Sequence, residues 1–277
     1  MGRLPSTASI GQTFRVGEYT RSMIHLIRPL PVDSIKLLVF DLDGTLIDST
    51  MDLCNSVNAM LAHVGRPSLP DELITSFIGD GVQMLVRRAL LAPLTAEGSE
   101  LGEEQLTAAL LFFLDYYRAH KLDFTYAYKG VLETLAAIQH LPNGQPRKMA
   151  VLTNKPVGPS KAICEALGMS PFFFRIYGGD SFAVKKPDPL GLRTLMDEAD
   201  ALPHETLMIG DSKVDICTAR NAGAWALGCT FGLAPLTLKN LDLDALADEP
   251  SDWAHALHPQ TNDPAEKIGC AGSHSLA

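Results

Sequence analysis

The run Leu37-Leu38-Val39-Phe40 ends directly in Asp41-Leu42-Asp43-Gly44-Thr45-Leu46-Ile47-Asp48. Consecutive apolar residues without polar alternation read as a strand buried on both faces, the kind found in parallel sheets covered by helices. The acidic cluster then lies in the loop at the strand's carboxyl end, where open α/β sheets bind ligands. Asp41 and Asp43, at i and i+2, share a face if the extended geometry continues, so both can address one guest. Carboxylates that close repel each other unless a cation, a proton or a phosphate-binding setting relieves them. An acidic turn capping the next helix is the plain alternative. A calcium loop fits less well, because its turn glycine belongs at the sixth position and Gly44 is fourth.

From Tyr128 onward short strands alternate with helices. Met149 to Leu152, Phe174 to Tyr177, Thr206 to Ile209 and Trp225 to Cys229 read as strands. Helices are expected over Gly130 to Gln139, Gly158 to Leu167, Leu190 to Ala199 and Ile216 to Ala222. This alternation predicts an α/β fold, a doubly wound parallel sheet. The segment after the first strand differs, because its apolar residues recur at three and four residue spacing and it offers no strand candidate. Leu53, Val57, Met60, Leu61 and Val64 mark one helix there, and Glu103 to His120 another. The division expected is an arm at 1–34, core at 35–50 and 125–240, an all-helical cap at 51–124 and a tail at 241–277. The arm shows no clear element, so disorder, or initiation at Met23, is expected. In the tail a short helix over Leu241 to Leu246 is expected, with a disordered end.

The 277 residues are 46% hydrophobic and 20% charged, as in ordinary globular chains. A net charge of −9 argues against a sequence-independent grip on nucleic acid or an anionic membrane. No apolar run reaches the roughly 20 residues that cross a bilayer. The five cysteines are odd in number and form no CxxC pair, which suits reduced thiols in the cytoplasm.

Several expected strands end in polar residues that the sheet gathers into one crevice: Asp41 and Asp43, Thr153 and Asn154, Lys186, and Asp211 with Asp215. Hydroxyl, amide and ammonium donors suit a phosphoryl group. Three or more carboxylates there call for a hard cation, and all-oxygen ligands favour Mg2+. Singly, each piece has an ordinary reading as a turn, a helix cap or a solvated lysine.

In their order, these motifs resemble those of the haloacid dehalogenase-like phosphatases, and within them the phosphoglycolate phosphatases. Asp41-Leu42-Asp43-Gly44-Thr45-Leu46, Thr153-Asn154-Lys155-Pro156, Lys186-Pro187-Asp188-Pro189 and Gly210-Asp211-Ser212-Lys213-Val214-Asp215 are similar to the four family motifs. The resemblance spans about Ile35 to Pro235. It implies a Rossmann-like core with the cap inserted after the first strand, and a magnesium-dependent phosphatase acting on a small phosphorylated substrate. Asp41 would be the nucleophile, Asp43 the general acid and base, and Lys186 the charge-balancing cation. Asp41, the Asp43 carbonyl and Asp211 would hold the metal, with Asp215 orienting its surroundings or Lys186. Thr45, Thr153 and Asn154 would meet the phosphoryl group. In the cap, Gly79, Gly81 and Arg87 (or Arg88) would meet the rest of the substrate, expected to be 2-phosphoglycolate.

The presence of Asp43 favours ester hydrolysis over dehalogenation, in which the halide leaves unprotonated, and over phosphonate cleavage, whose enzymes lack this aspartate. Another small sugar or acid phosphate, a sugar-phosphate mutase, and a non-enzymatic binding module are the alternatives. A monomer or homodimer is expected.

Overall fold

The computed structural model describes residues 25–92 and 102–258. Its strands are β1 (His25–Leu26), β2 (Leu37–Phe40), β3 (Ile47–Asp48), β4 (Tyr126–Ala127), β5 (Lys148–Leu152), β6 (Arg175–Tyr177), β7 (Thr206–Gly210), β8 (Trp225–Cys229) and β9 (Ala245–Ala247). The main sheet runs β1-β9-β8-β7-β2-β5-β6 and is parallel except for β1. β2 lies between β5 and β7, with Phe40 in register with both Val151 and Ile209.

The continuous apolar run explains this central place. All four residues of β2 are fully buried, and successive side chains enter opposite layers. Leu38 and Phe40 pack with α5 (Val131–Ala137), α6 (Val157–Ala166) and α9 (Ser251–Leu257). Leu37 and Val39 pack with α7 (Leu190–Ala199) and α8 (Lys213–Ala222). Burying such a side chain contributes about 1.5–3 kcal/mol relative to exposure. The strand that carries the acidic loop is therefore held firmly from both faces.

The intervening chain forms α1 (Thr50–His63), α2 (Asp71–Thr75), α3 (Val82–Leu91) and α4 (Glu103–His120). These helices share an apolar core of their own, built from residues such as Val57, Met60, Ile74, Val86, Phe113 and Tyr117. Where the chain leaves and re-enters the sheet layer, β3 pairs antiparallel with β4. Buried Asp52 at the start of α1 accepts the N–H groups of Phe124 and Thr125 and the Thr125 hydroxyl. Both crossings are thereby tied together. No described helix is long and apolar enough to cross a membrane.

Two expectations at the chain ends change. The short helix over Leu241 to Leu246 is absent; Ala245–Ala247 is strand β9, paired with β8 and β1. Asp242 and Asp244 there are ion-pair partners, the first exposed and the second buried. Asp244 is fully buried against Arg28 and Arg220 and accepts the Ala226 N–H. Beyond it α9 inserts Trp253, fully buried, against Phe40 with ring centroids 5.3 Å apart. Residues 241–257 thus belong to the sheet and its layers. At the other end, His25 and Leu26 extend the sheet as β1, and Arg28 pairs with Asp242 and Asp244. The expected disorder of residues 1–24 and of the final residues lies outside the described residues.

Candidate active site

The parallel register brings the carboxyl ends of β2, β5 and β7 to one edge, and each continues into a polar loop. Asp41 follows β2, its N–H bonded to Ile209 O at 2.9 Å. Gly44 turns the chain at φ +81, and a Cβ there would lie 2.2 Å from Asp211 Oδ2. Only glycine meets both demands, the positive φ and the close approach. Asp211 follows β7, and its Oδ2 accepts the N–H groups of Leu233 and Ala234 at 2.7 and 3.1 Å.

One buried ammonium offsets part of the negative charge at this end of the site. Lys186 Nζ is 2.6 Å from Asp215 Oδ1 and 2.9 Å from Asp41 Oδ1. Burial opposes the charge on Lys186, but Asp215 and Asp41 overcome it and hold the ammonium above its ordinary pKa. Burial likewise raises Asp41 to about 6 against the pull of Lys186, with Asp215 adding to the rise. Asp211 is pushed well above the usual carboxylate range by burial and by its neighbours Asp215 and Asp41.

Oxygen atoms of Asp41, Asp211 and Asp215 lie within 4.8 Å of one another. One lysine cannot balance three such buried groups. An oxygen-only set of this kind fits a hard divalent cation. Asp215 is otherwise engaged, since Oδ1 receives Lys186 and Oδ2 receives the Ser212 N–H and hydroxyl at the start of α8. It therefore positions Lys186 and the loop, leaving Asp41 and Asp211 as the carboxylates open to a metal.

Asp43 points away from this cluster. Its Oδ1 receives the Ser49 hydroxyl at 2.5 Å and Lys155 Nζ at 2.9 Å. Lys155 is buried, and its ammonium stands 4.8 Å over the ring of Tyr117 on α4. Burial opposes its charge too, yet Asp43 keeps its pKa above the ordinary value. Neither the Lys155 role nor that of Tyr117 is anticipated in the sequence reading. Lys155 beside a strand end was an available signal, whereas Tyr117 falls on the apolar stripe of α4 and reads as core.

A cavity of about 730 Å³, including its open mouth, lies between the sheet edge and the helices above. Asp41, Asp43, Thr153, Asn154, Lys155, Asp211, Gly79, Gly81, Phe113 and Tyr117 are among its lining. Thr153, Gly79 and Gly81, expected to meet the substrate, line this cavity. Asn154 lines the cavity but spends both amide hydrogens on carbonyls, Gly79 O at 3.0 Å and Lys186 O at 3.1 Å. It ties the helical segment to the Lys186 loop. Lys185 Nζ adds a second tie to Asp80 O at 2.7 Å, and a Cβ on Gly81 would stand 2.9 Å from that ammonium. Thr45 is fully buried outside the cavity lining. Arg87 is exposed and does not line the cavity, while Arg88 pairs with Asp80 at 2.5 Å and with Phe77 O.

The comparisons with known proteins agree with this arrangement. The family model for haloacid dehalogenase-like hydrolases matches residues 38–228. The phosphoglycolate phosphatase of Pseudomonas putida is 37% identical over 242 residues, which cover 85% of this chain and 83% of the relative. That of Neisseria gonorrhoeae is 36% identical over 240 residues, with 85% and 98% covered. Among solved structures, a predicted phosphoglycolate phosphatase from Haemophilus somnus matches with a TM-score of 0.72 at 31% identity, covering 79% of this chain and 96% of that one. A parallel sheet with its acidic loop at the central strand end, and relatives alike along most of their length, place this chain in the haloacid dehalogenase-like hydrolase family, in the group of the phosphoglycolate phosphatases.

Proposed function

We propose that the protein is a magnesium-dependent phosphoric monoester hydrolase acting on a small phosphorylated acid, 2-phosphoglycolate first. The observation that carries this reading is the pair Asp41 and Asp43, split between two buried lysines. Asp41 faces Lys186 and Asp211, and Asp43 faces Lys155 under the helices. Two carboxylates in such different surroundings suit two different tasks.

Asp41 attacks the phosphorus and the ester bond breaks, leaving an aspartyl phosphate on the enzyme. Asp43 gives its proton to the departing alkoxide oxygen, then takes one from the water that attacks the phosphorus in the second step. Inorganic phosphate leaves and Asp41 is restored. The Thr153 hydroxyl, on the cavity wall, can donate to a phosphoryl oxygen. Lys186 balances the charge of Asp41 and of the transferring group. Magnesium would be held by Asp41, Asp211 and the Asp43 main-chain carbonyl, and would supply charge neutralisation to the phosphoryl oxygens. Asn154 holds the two sides of the cavity together instead of contacting phosphate. The described cysteines are all free, which supports a cytoplasmic setting.

Phosphate release across 2-phosphoglycolate, sugar phosphates and nucleoside monophosphates, with magnesium and with a chelator, tests the reading. Magnesium-dependent release that is fastest from 2-phosphoglycolate is expected. No release from any of them would remove the phosphatase assignment, and a flat profile would remove the substrate.

A further inference from the structure

Lys155 is the one cation among the described residues that line the cavity. It pairs with Asp43, beside which the leaving group of a phosphate ester has to lie if Asp43 is to protonate it. A general acid works within about 3 Å of the atom it protonates. With Lys155 Nζ 2.9 Å from Asp43 Oδ1, the ammonium is then at most about 6 Å from the ester oxygen. The carboxylate oxygens of an –O–CH2–COO− group reach about 3 Å beyond that oxygen by ordinary bond lengths. The helices contribute a largely apolar part of the cavity lining, with Leu53, Val82, Leu85, Phe113 and Leu114. Tyr117, buried and also on the lining, has its hydroxyl within reach of the Lys155 ammonium. A buried cation and a hydroxyl donor on the wall of one small space can receive a second anionic group.

We infer that Lys155, together with the Tyr117 hydroxyl, is the specificity-determining site for the substrate's own carboxylate. This rests on the phosphatase reading above and deepens it. The ammonium has three donors, so it can hold a substrate carboxylate while it continues to orient Asp43. The arginines of α3 do not take this part, because Arg87 is exposed and Arg88 is engaged by Asp80. The site selects a short acid, since the carboxylate must reach Lys155 while the ester oxygen stays at Asp43.

The test compares kcat/KM for 2-phosphoglycolate and for ethyl phosphate on the same preparation, in wild type, Lys155→Met and Tyr117→Phe. Both substrates need the same proton from Asp43, and only the first carries a carboxylate. Their ratio is also independent of how much of a preparation is folded. In wild type the ratio favours 2-phosphoglycolate by about 100-fold or more. Lys155→Met lowers it by about 30-fold, mostly through KM for 2-phosphoglycolate, as a lost charge-assisted bond predicts. Tyr117→Phe, which keeps the ring under the ammonium, lowers it about 5-fold to 10-fold. A wild-type ratio near one, or a ratio within about threefold of wild type in either variant, overturns the inference. Absence of turnover on both substrates in wild type would instead remove the phosphatase reading beneath it.

Discussion

Asp41 and Asp43 are two residues apart, yet their side chains meet different partners, Lys186 for one and Lys155 with Ser49 for the other. That separation predicts a substrate-dependent defect. Asp43→Asn should slow hydrolysis of an alkyl phosphate by about 100-fold to 10,000-fold, the usual worth of general acid–base catalysis. With an aryl phosphate, whose leaving group departs without a proton, the loss in the first step should be much smaller. Equal losses on both would take the acid role from Asp43. At this scale the sequence was most legible where chemistry is local. Asp41, Asp43, Lys186, Asp211 and Asp215 follow from strand ends and motif order. Asn154 reads as a phosphate ligand because its amide is a good donor; in the fold that amide donates to Gly79 O and Lys186 O, which are distant in sequence and depend on how the helices sit over the sheet. Arg87 and Arg88 were legible as charges, but which way an α3 residue faces is settled by packing.

The elements taught a similar lesson. β2 was readable because an unbroken apolar run has few other places to go, and α4 because its spacing is regular across its whole length. β3 and β4 were not, since two-residue strands have no periodicity to detect. β9 and α9 were hidden by their charges. Asp242, Asp244, Asp248 and Glu249 look like a solvated tail until Arg28 and Arg220 are brought beside Asp244. The stability consequence is specific. Trp253 fills the space between Phe40 and Phe231, so Trp253→Ala should cost about 3–5 kcal/mol in equilibrium urea unfolding. A change below about 1 kcal/mol would mean that α9 is not part of the core in solution.

At the scale of the whole molecule, a chain of net charge −9 has to bind an anion. The average field opposes approach, and two buried lysines offset part of the negative charge at the site, each kept charged by its own aspartate partners. The helices close the site through three ties that reach back to the sheet loops: Asn154 to Gly79, Lys185 to Asp80, and Lys155 to Tyr117. Excluding water there strengthens every charge interaction inside the cavity. In the proposed mechanism all of this serves one event, the transfer of a phosphoryl group to Asp41. The most direct test is an acid quench during turnover of 2-phosphoglycolate with magnesium, followed by peptide mapping. The account predicts one added phosphoryl group on the peptide that contains Asp41, and none in the Asp41→Asn variant, which should also release no phosphate. Phosphate release in a single turnover with the Asp41 peptide unmodified at every quench time, or substantial turnover by Asp41→Asn, would contradict it.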